Sequence, residues 1–512
     1  MLIIWFQTLL TLCYCLPARS ASNDSLPIVD LGYNIQRATS YNNIRYAAAP
    51  TGDLRFAAPV APAWNRSYVQ EGTYGPQCPQ ATYSVPNGPN AAGANLTQSE
   101  DCLFLDVIVP KAIFDRRSGP SRAPVLVWIH GGGFTNGAKN LYNPSGLLAR
   151  GDNKAIFIAF NYRLGTLGFM SGPSFQSEGG LANTGLYDQR FALEWVQKYV
   201  EYFGGDPRRV TVFGESAGAS SILHQITAFG GSQGSPPFSQ ALIQSPAFKP
   251  ITGNSMKEAS FQAYLSTLNC KNLTCAKQKS EVLIMAANVA AVGHNLSGPK
   301  VFGVATDGII VPDLPGNLLQ YKAFSHDVNL MTSHTSNEGL SFSVAVPTGT
   351  SFEALLASVY PEMAPSTLSY VSETLYPAPS PGTPYNSDSD RINLFLSESI
   401  VTANNYGLAR AFNNSIYSYM LSIPPGQHGQ DVFYTFYDGP NPYVTNSTVA
   451  IIMQKYINAF AITGKPEGKD LSIFPKYGSA SMVMNMDSSG VSPVIDPAAN
   501  ERCEWWQDAL YY

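Results

Sequence analysis

A single serine stands between two glycines in Gly214-Glu215-Ser216-Ala217-Gly218, where an apolar run becomes a helical pattern. Small residues on both sides permit a tight strand-to-helix turn that raises the hydroxyl above a sheet. The positive N-terminal end of the following helix would lie beside that hydroxyl. The pattern predicts a nucleophile at Ser216. A five-residue motif also recurs by chance, so an ordinary glycine-rich turn is the alternative.

A serine nucleophile needs a base, and the base needs an orienting carboxylate. In strand–turn–helix sites of this type the chain order is serine, acid, histidine, so a histidine before Ser216 does not qualify. Of the six histidines in the chain, His130 precedes the serine. His224 shares the serine's helix, and His294 abuts a glycosylation sequon. The remaining candidates are His326, His334 and His428.

The candidate acid is Glu338, which follows an apolar strand ending near Leu330-Met331. His428 is the only histidine after Glu338, so the required order selects it as the base. It lies between Gly426 and Gly429, in a loop that leaves the ring free to reach the serine. The competing acid is Asp307, which also precedes His428.

Three glycines follow the apolar run Trp128-Ile129 and His130. Acyl transfer builds negative charge on a carbonyl oxygen, and preorganised backbone amides can bind that charge. The predicted donors are the amides of Gly132, Gly133 and Ala217. Neither phosphate-binding glycine motif occurs here, and the sequence has no His-Glu-x-x-His or Cys-x-x-Cys pattern. We therefore expect neither a metal nor a cofactor.

Buried strands must hold these residues. Four apolar runs end at the polar or glycine-rich clusters: Val125–Ile129, Ala155–Phe160, Val210–Phe213 and Ala241–Ile243. Continuous apolar strands are typical of a sheet buried on both faces, and helical patterns between them imply a mostly parallel sheet. Sites in such sheets lie beyond the carboxyl ends of the strands. The prediction is an α/β fold with a large, mostly parallel central sheet flanked by helices.

The N-terminus predicts export. Residues 2–17 are uncharged and mostly apolar, and Ala18-Arg19-Ser20 offers a cleavage site. We expect residues 1–20 to be a secretory signal peptide, with an N-terminal anchor as the alternative, and residues 21–512 to form one catalytic domain. No later run is apolar enough to span a bilayer. The net charge of −5 argues against nucleic acid and anionic membranes as partners.

Cysteines and sequons agree with an extracellular location. Cys78 with Cys102 and Cys270 with Cys275 are candidates for local disulfides in an oxidising compartment. Removal of residues 1–20 would take Cys13 and Cys15 with it, and Cys503 is then left over, as a buried thiol or an intermolecular link. Seven sequons predict N-glycosylation, at Asn23, Asn65, Asn95, Asn272, Asn295, Asn413 and Asn446.

Several further motifs are spread along the chain from about Arg45 to the C-terminus. They are Tyr46-Ala47 with Leu54-Arg55-Phe56, Ser99-Glu100-Asp101-Cys102-Leu103, Asn161-Tyr162-Arg163-Leu164-Gly165, Gly185-Leu186-Tyr187-Asp188-Gln189-Arg190 and Phe203-Gly204-Gly205-Asp206-Pro207. With the serine motif they resemble the type-B carboxylesterase/lipase family, the cholinesterase-like branch of the α/β hydrolases, and its secreted fungal members in particular.

The resemblance implies an α/β-hydrolase fold and roles for residues already singled out. It makes Ser216 the nucleophile, Glu338 the acid and His428 the base, with the three amides as an oxyanion hole. It also supports the Cys78–Cys102 disulfide, and it implies structural salt bridges between Arg55 and Glu100 and between Arg163 and Asp188. Glu215 and Ser245 match positions near the histidine. The family usually has glycine after that second serine, whereas this chain has Pro246.

The loop between Cys78 and Cys102 bears on the substrate. It is polar, rich in glycine, proline and asparagine, and contains no tryptophan, with Tyr83 its only aromatic residue. A lipase lid needs a wide apolar face, and choline recognition needs an aromatic ring. We expect a carboxylesterase for soluble to moderately apolar esters. The alternatives are a triacylglycerol lipase whose lid lies elsewhere and a non-catalytic binding module on the same scaffold. The sequence leaves the oligomeric state open.

Overall fold

The structure is a computed structural model that describes residues 27–37, 41–81, 97–248, 253–293 and 302–508. Predictions about residues 1–20, about the sequons at Asn23, Asn95 and Asn295, and about most of the loop between Cys78 and Cys102 fall outside these ranges.

The strands alternate with helices along the chain. The strands are β1 (Ile28–Asp30), β2 (Ile35–Arg37), β3 (Tyr41–Arg45), β4 (Val69–Gln70), β5 (Phe104–Ile108), β6 (Ala123–Ile129), β7 (Ile156–Phe160), β8 (Gly205–Glu215), β9 (Gln240–Gln244), β10 (Asn329–Thr335), β11 (Tyr417–Leu421), β12 (Met482–Asp487) and β13 (Gly490–Ile495).

The helices are α1 (Lys111–Asp115), α2 (Ser145–Arg150), α3 (Gly165–Phe169), α4 (Pro173–Ser177), α5 (Thr184–Tyr199), α6 (Ala217–Thr227), α7 (Asn254–Thr267), α8 (Leu273–Lys277), α9 (Glu281–Gly293), α10 (Pro315–Gln320), α11 (Leu340–Ser343), α12 (Phe352–Val359), α13 (Pro365–Tyr370), α14 (Asp388–Ser397), α15 (Ala403–Ala411), α16 (Gln430–Thr435), α17 (Ser447–Thr463) and α18 (Glu501–Gln507). In the part of the chain that the structure describes, every helix falls short of the length or the hydropathy that a bilayer crossing requires.

Ten of the described strands form one sheet in the order β13-β12-β11-β10-β9-β8-β6-β7-β5-β3. The central strands run parallel to their neighbours, in the order β12, β11, β10, β9, β8, β6 and β7. The outer pairs β13–β12, β7–β5 and β5–β3 are antiparallel. The four predicted strands lie at the centre of the sheet as β6, β7, β8 and β9. The predicted α/β-hydrolase architecture is therefore confirmed.

Strand β6 shows why polar and apolar residues do not alternate along the central strands. Its successive side chains point to opposite faces of the sheet. Val127 and Ile129 pack into the hydrophobic cluster on one face, and Leu126 and Trp128 pack into the cluster on the other. Both faces are covered, so every position along the strand is apolar.

Covalent and ionic links tie the loops to the sheet. Among the described residues, disulfides join Cys78 to Cys102 and Cys270 to Cys275. The expected ion pairs of Arg55 with Glu100 and of Arg163 with Asp188 are present and buried. Of the two interpretations of Cys503, the structure has the buried thiol. Its sulfur lies 3.6 Å from the hydroxyl of Thr402.

Candidate active site

Ser216 lies in a tight turn between β8 and α6. Its backbone angles, φ 58° and ψ −124°, are costly for any residue with a side chain and are typical of sites held by their surroundings. A β-carbon at Gly214 would come within 2.6 Å of the carbonyl oxygen of Ile129, and one at Gly218 would meet the same oxygen even more closely. The two glycines are needed because the end of β6 packs directly against this turn.

The structure brings Ser216, His428 and Glu338 together. They follow β8, β11 and β10, parallel strands whose carboxyl ends meet at one edge of the sheet. Nε2 of His428 lies 2.8 Å from the Ser216 hydroxyl, and Nδ1 lies 2.5 Å from Oε2 of Glu338. Because Nδ1 faces a carboxylate, it carries the proton and leaves the Nε2 lone pair toward the serine. This arrangement can accept a proton from the hydroxyl.

Glu338 is buried, and both of its oxygens are hydrogen-bonded. Oε1 accepts a bond from the amide of Thr335 at 2.6 Å and another from the Ser245 hydroxyl at 2.7 Å. Burial alone would raise the pKa of this carboxyl, but the charge of His428 and these hydrogen bonds hold it below its ordinary value. Ser245 therefore touches the acid rather than the imidazole, and the neighbouring Pro246 does not prevent this contact.

The glycine loop after β6 presents free amides beside the serine. Gly132 and Gly133 have positive φ angles of 109° and 62°, which suit glycine. Within the described ranges neither amide donates a hydrogen bond. A β-carbon on Gly131 would lie 3.1 Å from that of Ser216, so the loop abuts the serine. Ala217 begins α6, and its amide has no acceptor within the helix.

A second carboxylate faces His428. Oε1 of Glu215 lies 3.3 Å from Nε2 of the ring. Burial raises the pKa of Glu215 to about 8, although the charge of His428 opposes that change. Burial lowers the pKa of His428, but the negative charges of Glu215 and Glu338 outweigh it and raise the value to about 9. The two carboxylates thus favour the protonated ring.

We expect Glu215→Gln to move the acid limb of the kcat/KM profile to lower pH, by roughly one unit. His428 can act as a base only when neutral, and the negative charge of Glu215 stabilises its protonated form. Removing that charge lowers the pKa of His428, so the neutral ring persists to lower pH. The measurement is kcat/KM for a soluble nitrophenyl ester across about pH 5 to 10.

The matched control is Glu194→Gln, which removes the same charge from an exposed position on α5. The acid limb of the kcat/KM profile of Glu194→Gln should coincide with that of the wild type. A Glu215→Gln limb at the wild-type position would show that this carboxylate does not set the pKa of the base.

The structure does not bring the competing candidates to the serine. Asp307 accepts bonds from the amides of Ile309 and Val311 within its own turn. His326 bonds the carbonyl of Lys322, and buried His334 lies 3.0 Å from a carboxyl oxygen of Asp496. Each group therefore has a local structural partner elsewhere.

One buried carboxylate near the base was missed by sequence reasoning. Asp431 accepts a bond from the Tyr419 hydroxyl at 3.0 Å and one from the Gln244 amide at 3.3 Å. Burial and the charge of Glu338 raise its pKa to about 6. Its position three residues after His428 is the signal in the sequence. Phe342 was also missed, and the centre of its ring lies 4.9 Å from that of the His428 ring. Nothing in the sequence marked Phe342 as part of the site.

Comparisons with known proteins identify the family of the chain. The model of the Carboxylesterase family matches residues 29–506. The chain is 36% identical to Carboxylesterase patB of Aspergillus clavatus, over 97% of this chain and 98% of that protein. It is 30% identical to Secreted lipase of Arthroderma benhamiae, over 96% of this chain and 94% of that protein.

Among solved structures, the fold is similar to that of Aspergillus niger EstA. The TM-score is 0.80 at 24% identity, with 95% of this chain and 99% of that chain covered. The family model and the first relative both span nearly the whole sequence, sheet and serine turn included. The chain therefore belongs to the carboxylesterase family and is an ester hydrolase.

Proposed function

We propose that the chain hydrolyses carboxylic esters with Ser216 as the nucleophile, His428 as the general base and Glu338 as the orienting acid. The observation that carries this proposal is the position of the His428 ring. One ring nitrogen lies 2.8 Å from the serine hydroxyl and the other 2.5 Å from the carboxylate. This is the geometry that activates a serine for acyl transfer.

The reaction has two stages. As Oγ of Ser216 attacks the ester carbonyl, His428 takes the hydroxyl proton and the carbonyl oxygen becomes negative. The oxyanion is bound by the amides of Gly132, Gly133 and Ala217. His428 then gives its proton to the leaving alcohol, which departs and leaves an acyl-serine. Water repeats the sequence, releases the acid and restores the hydroxyl.

For substrates, we propose soluble to moderately apolar esters. The loop between Cys78 and Cys102 offers no long apolar lid and no tryptophan for choline. Triacylglycerol hydrolysis is the second candidate, and the relative that bears the name of a secreted lipase supports it. A non-catalytic module is disfavoured because all three catalytic residue types are retained.

The first candidate predicts a preference for short acyl chains in solution. Without a wide apolar cover, hydrolysis of dissolved esters should not depend on an oil surface, so kcat/KM in solution should be highest for nitrophenyl esters of short to medium length. The measurement is a chain-length series of nitrophenyl esters, with and without an oil interface. Rates that rise steeply only for long chains at the interface would favour the triacylglycerol lipase.

We also propose that residues 1–20 direct secretion and that residues 21–512 form one catalytic domain. The two disulfides support an oxidising compartment. Three of the described sequons, Asn65, Asn272 and Asn413, are exposed and accessible to glycosylation, and Asn446 is partly exposed.

A further inference from the structure

Helix α9 has an exposed apolar face. Val282 is 76% exposed, Leu283 52% and Val289 53%, and Ala286 is exposed between them. Positions 282, 286 and 289 recur at helical spacing and therefore lie along one stripe, with Leu283 beside it. Side chains of this kind are usually buried, so a continuous exposed stripe indicates a surface that meets something apolar.

This outer face carries no charge. Glu281 is the only charged residue in α9, and it lies at the first position. Its Oε1 accepts bonds from the Ser99 hydroxyl at 2.6 Å and from the amide of Glu100 at 2.5 Å. The Glu281 carboxylate is therefore held by hydrogen bonds to the segment before Cys102. It does not place a charge on the exposed apolar stripe of α9.

The inner face of α9 is linked to the candidate active site. Oδ1 of Asn288 accepts bonds from the amide and the hydroxyl of Thr166, at 2.8 and 3.0 Å. The preceding residue, Gly165, donates its amide to the carbonyl of Phe134 at 2.8 Å. Phe134 directly follows Gly133, so α9 is anchored to the loop that carries the proposed oxyanion amides.

We infer that the outer face of α9, formed by Val282, Leu283, Ala286 and Val289, docks on the surface of dispersed apolar ester droplets. This inference rests on the proposed function, because moderately apolar esters separate from water as droplets. An uncharged apolar helix face buries itself at such an interface. Because the inner face is anchored beside the oxyanion loop, docking would hold the active site close to its substrate.

A second copy of the chain is the rival occupant. A standard protein interface takes roughly 20–30 residues from each side, far more than these four side chains. A droplet surface has no minimum size and imposes no matching shape. The dimensions of the face therefore favour the droplet.

The test is a triple variant, Val282→Gln with Leu283→Gln and Val289→Gln. Its hydrolysis of emulsified tributyrin should fall at least roughly tenfold, because three apolar contacts with the droplet are lost. Its hydrolysis of dissolved 4-nitrophenyl acetate should stay within about twofold, because none of the three residues contacts the triad. The matched control is Ile473→Gln, an 88% exposed residue between α17 and β12, which should change neither rate.

Flotation of the enzyme with the droplets separates docking from catalysis. An active enzyme whose triple variant floats as well as the wild type overturns the docking proposal. If the wild type floats with the droplets, the triple variant does not, and the wild type hydrolyses neither ester, the proposed function is contradicted and the docking proposal stands. A wild-type dimer that the triple variant dissociates, with tributyrin hydrolysis unchanged, assigns the face to a second copy. If the triple variant has a lowered unfolding midpoint, the single Leu283→Gln variant replaces it in both assays.

Discussion

Ser216→Ala is expected to lower kcat for a soluble nitrophenyl ester by on the order of 10⁶. The alanine leaves His428 and Glu338 in place but removes the hydroxyl that would attack the ester, so no acyl-enzyme can form. The residual rate would come from binding and the oxyanion amides alone. A fluorophosphonate should label the wild type at Ser216 and leave the variant unlabelled.

The control is Ser220→Ala, one turn further along α6. The Ser220 hydroxyl bonds the carbonyl of Ser216 at 3.0 Å and does not reach His428. This variant should be labelled and should keep its turnover within about tenfold, since it loses one ordinary hydrogen bond. Wild-type turnover in Ser216→Ala, or a label on another residue, would refute the assignment of the nucleophile.

The central sheet was predictable because burial on both faces leaves a simple pattern. The runs that became β6 and β7 have almost no polar residues, and a strand is the short element that such runs form between helices. Strands at the edges are different. β13 has Ser492 and Pro493 within it and exposes half of its residues, so no apolar run marks it. Its place is set by the two-residue turn from β12, in which Oδ1 of Asp487 accepts the amides of Ser489 and Gly490, and not by an apolar run.

The candidate site was predictable to the extent that chain order restricts it. After Ser216, one base and two candidate acids, Glu338 and Asp307, remained. The structure places His428 within hydrogen-bond distance of both Ser216 and Glu338. The approach of Glu215 to the ring was implied by the family resemblance and not by spacing, because Glu215 ends β8 while His428 follows β11. Pairs of this kind depend on three-dimensional packing.

Glu338→Gln is expected to lower kcat about 10⁴-fold while leaving the fold intact. Oε1 of Glu338 accepts two hydrogen bonds, from the amide of Thr335 and the hydroxyl of Ser245, so the amide oxygen of glutamine will occupy that position. Its NH₂ group then faces Nδ1 of His428 and donates to it. The ring must adopt the tautomer with its proton on Nε2, which cannot accept the proton of Ser216.

Asp307→Asn is the matched control, since Asp307 is the other acid that precedes His428 in the chain. Its carboxylate accepts the amides of Ile309 and Val311 through one oxygen, and asparagine keeps an oxygen for them. Turnover should therefore stay within about tenfold of the wild type. If Asp307→Asn is the variant that loses activity and Glu338→Gln is not, the acid has been wrongly assigned. A similar loss in both would indicate general destabilisation, which the unfolding midpoints of the two variants would reveal.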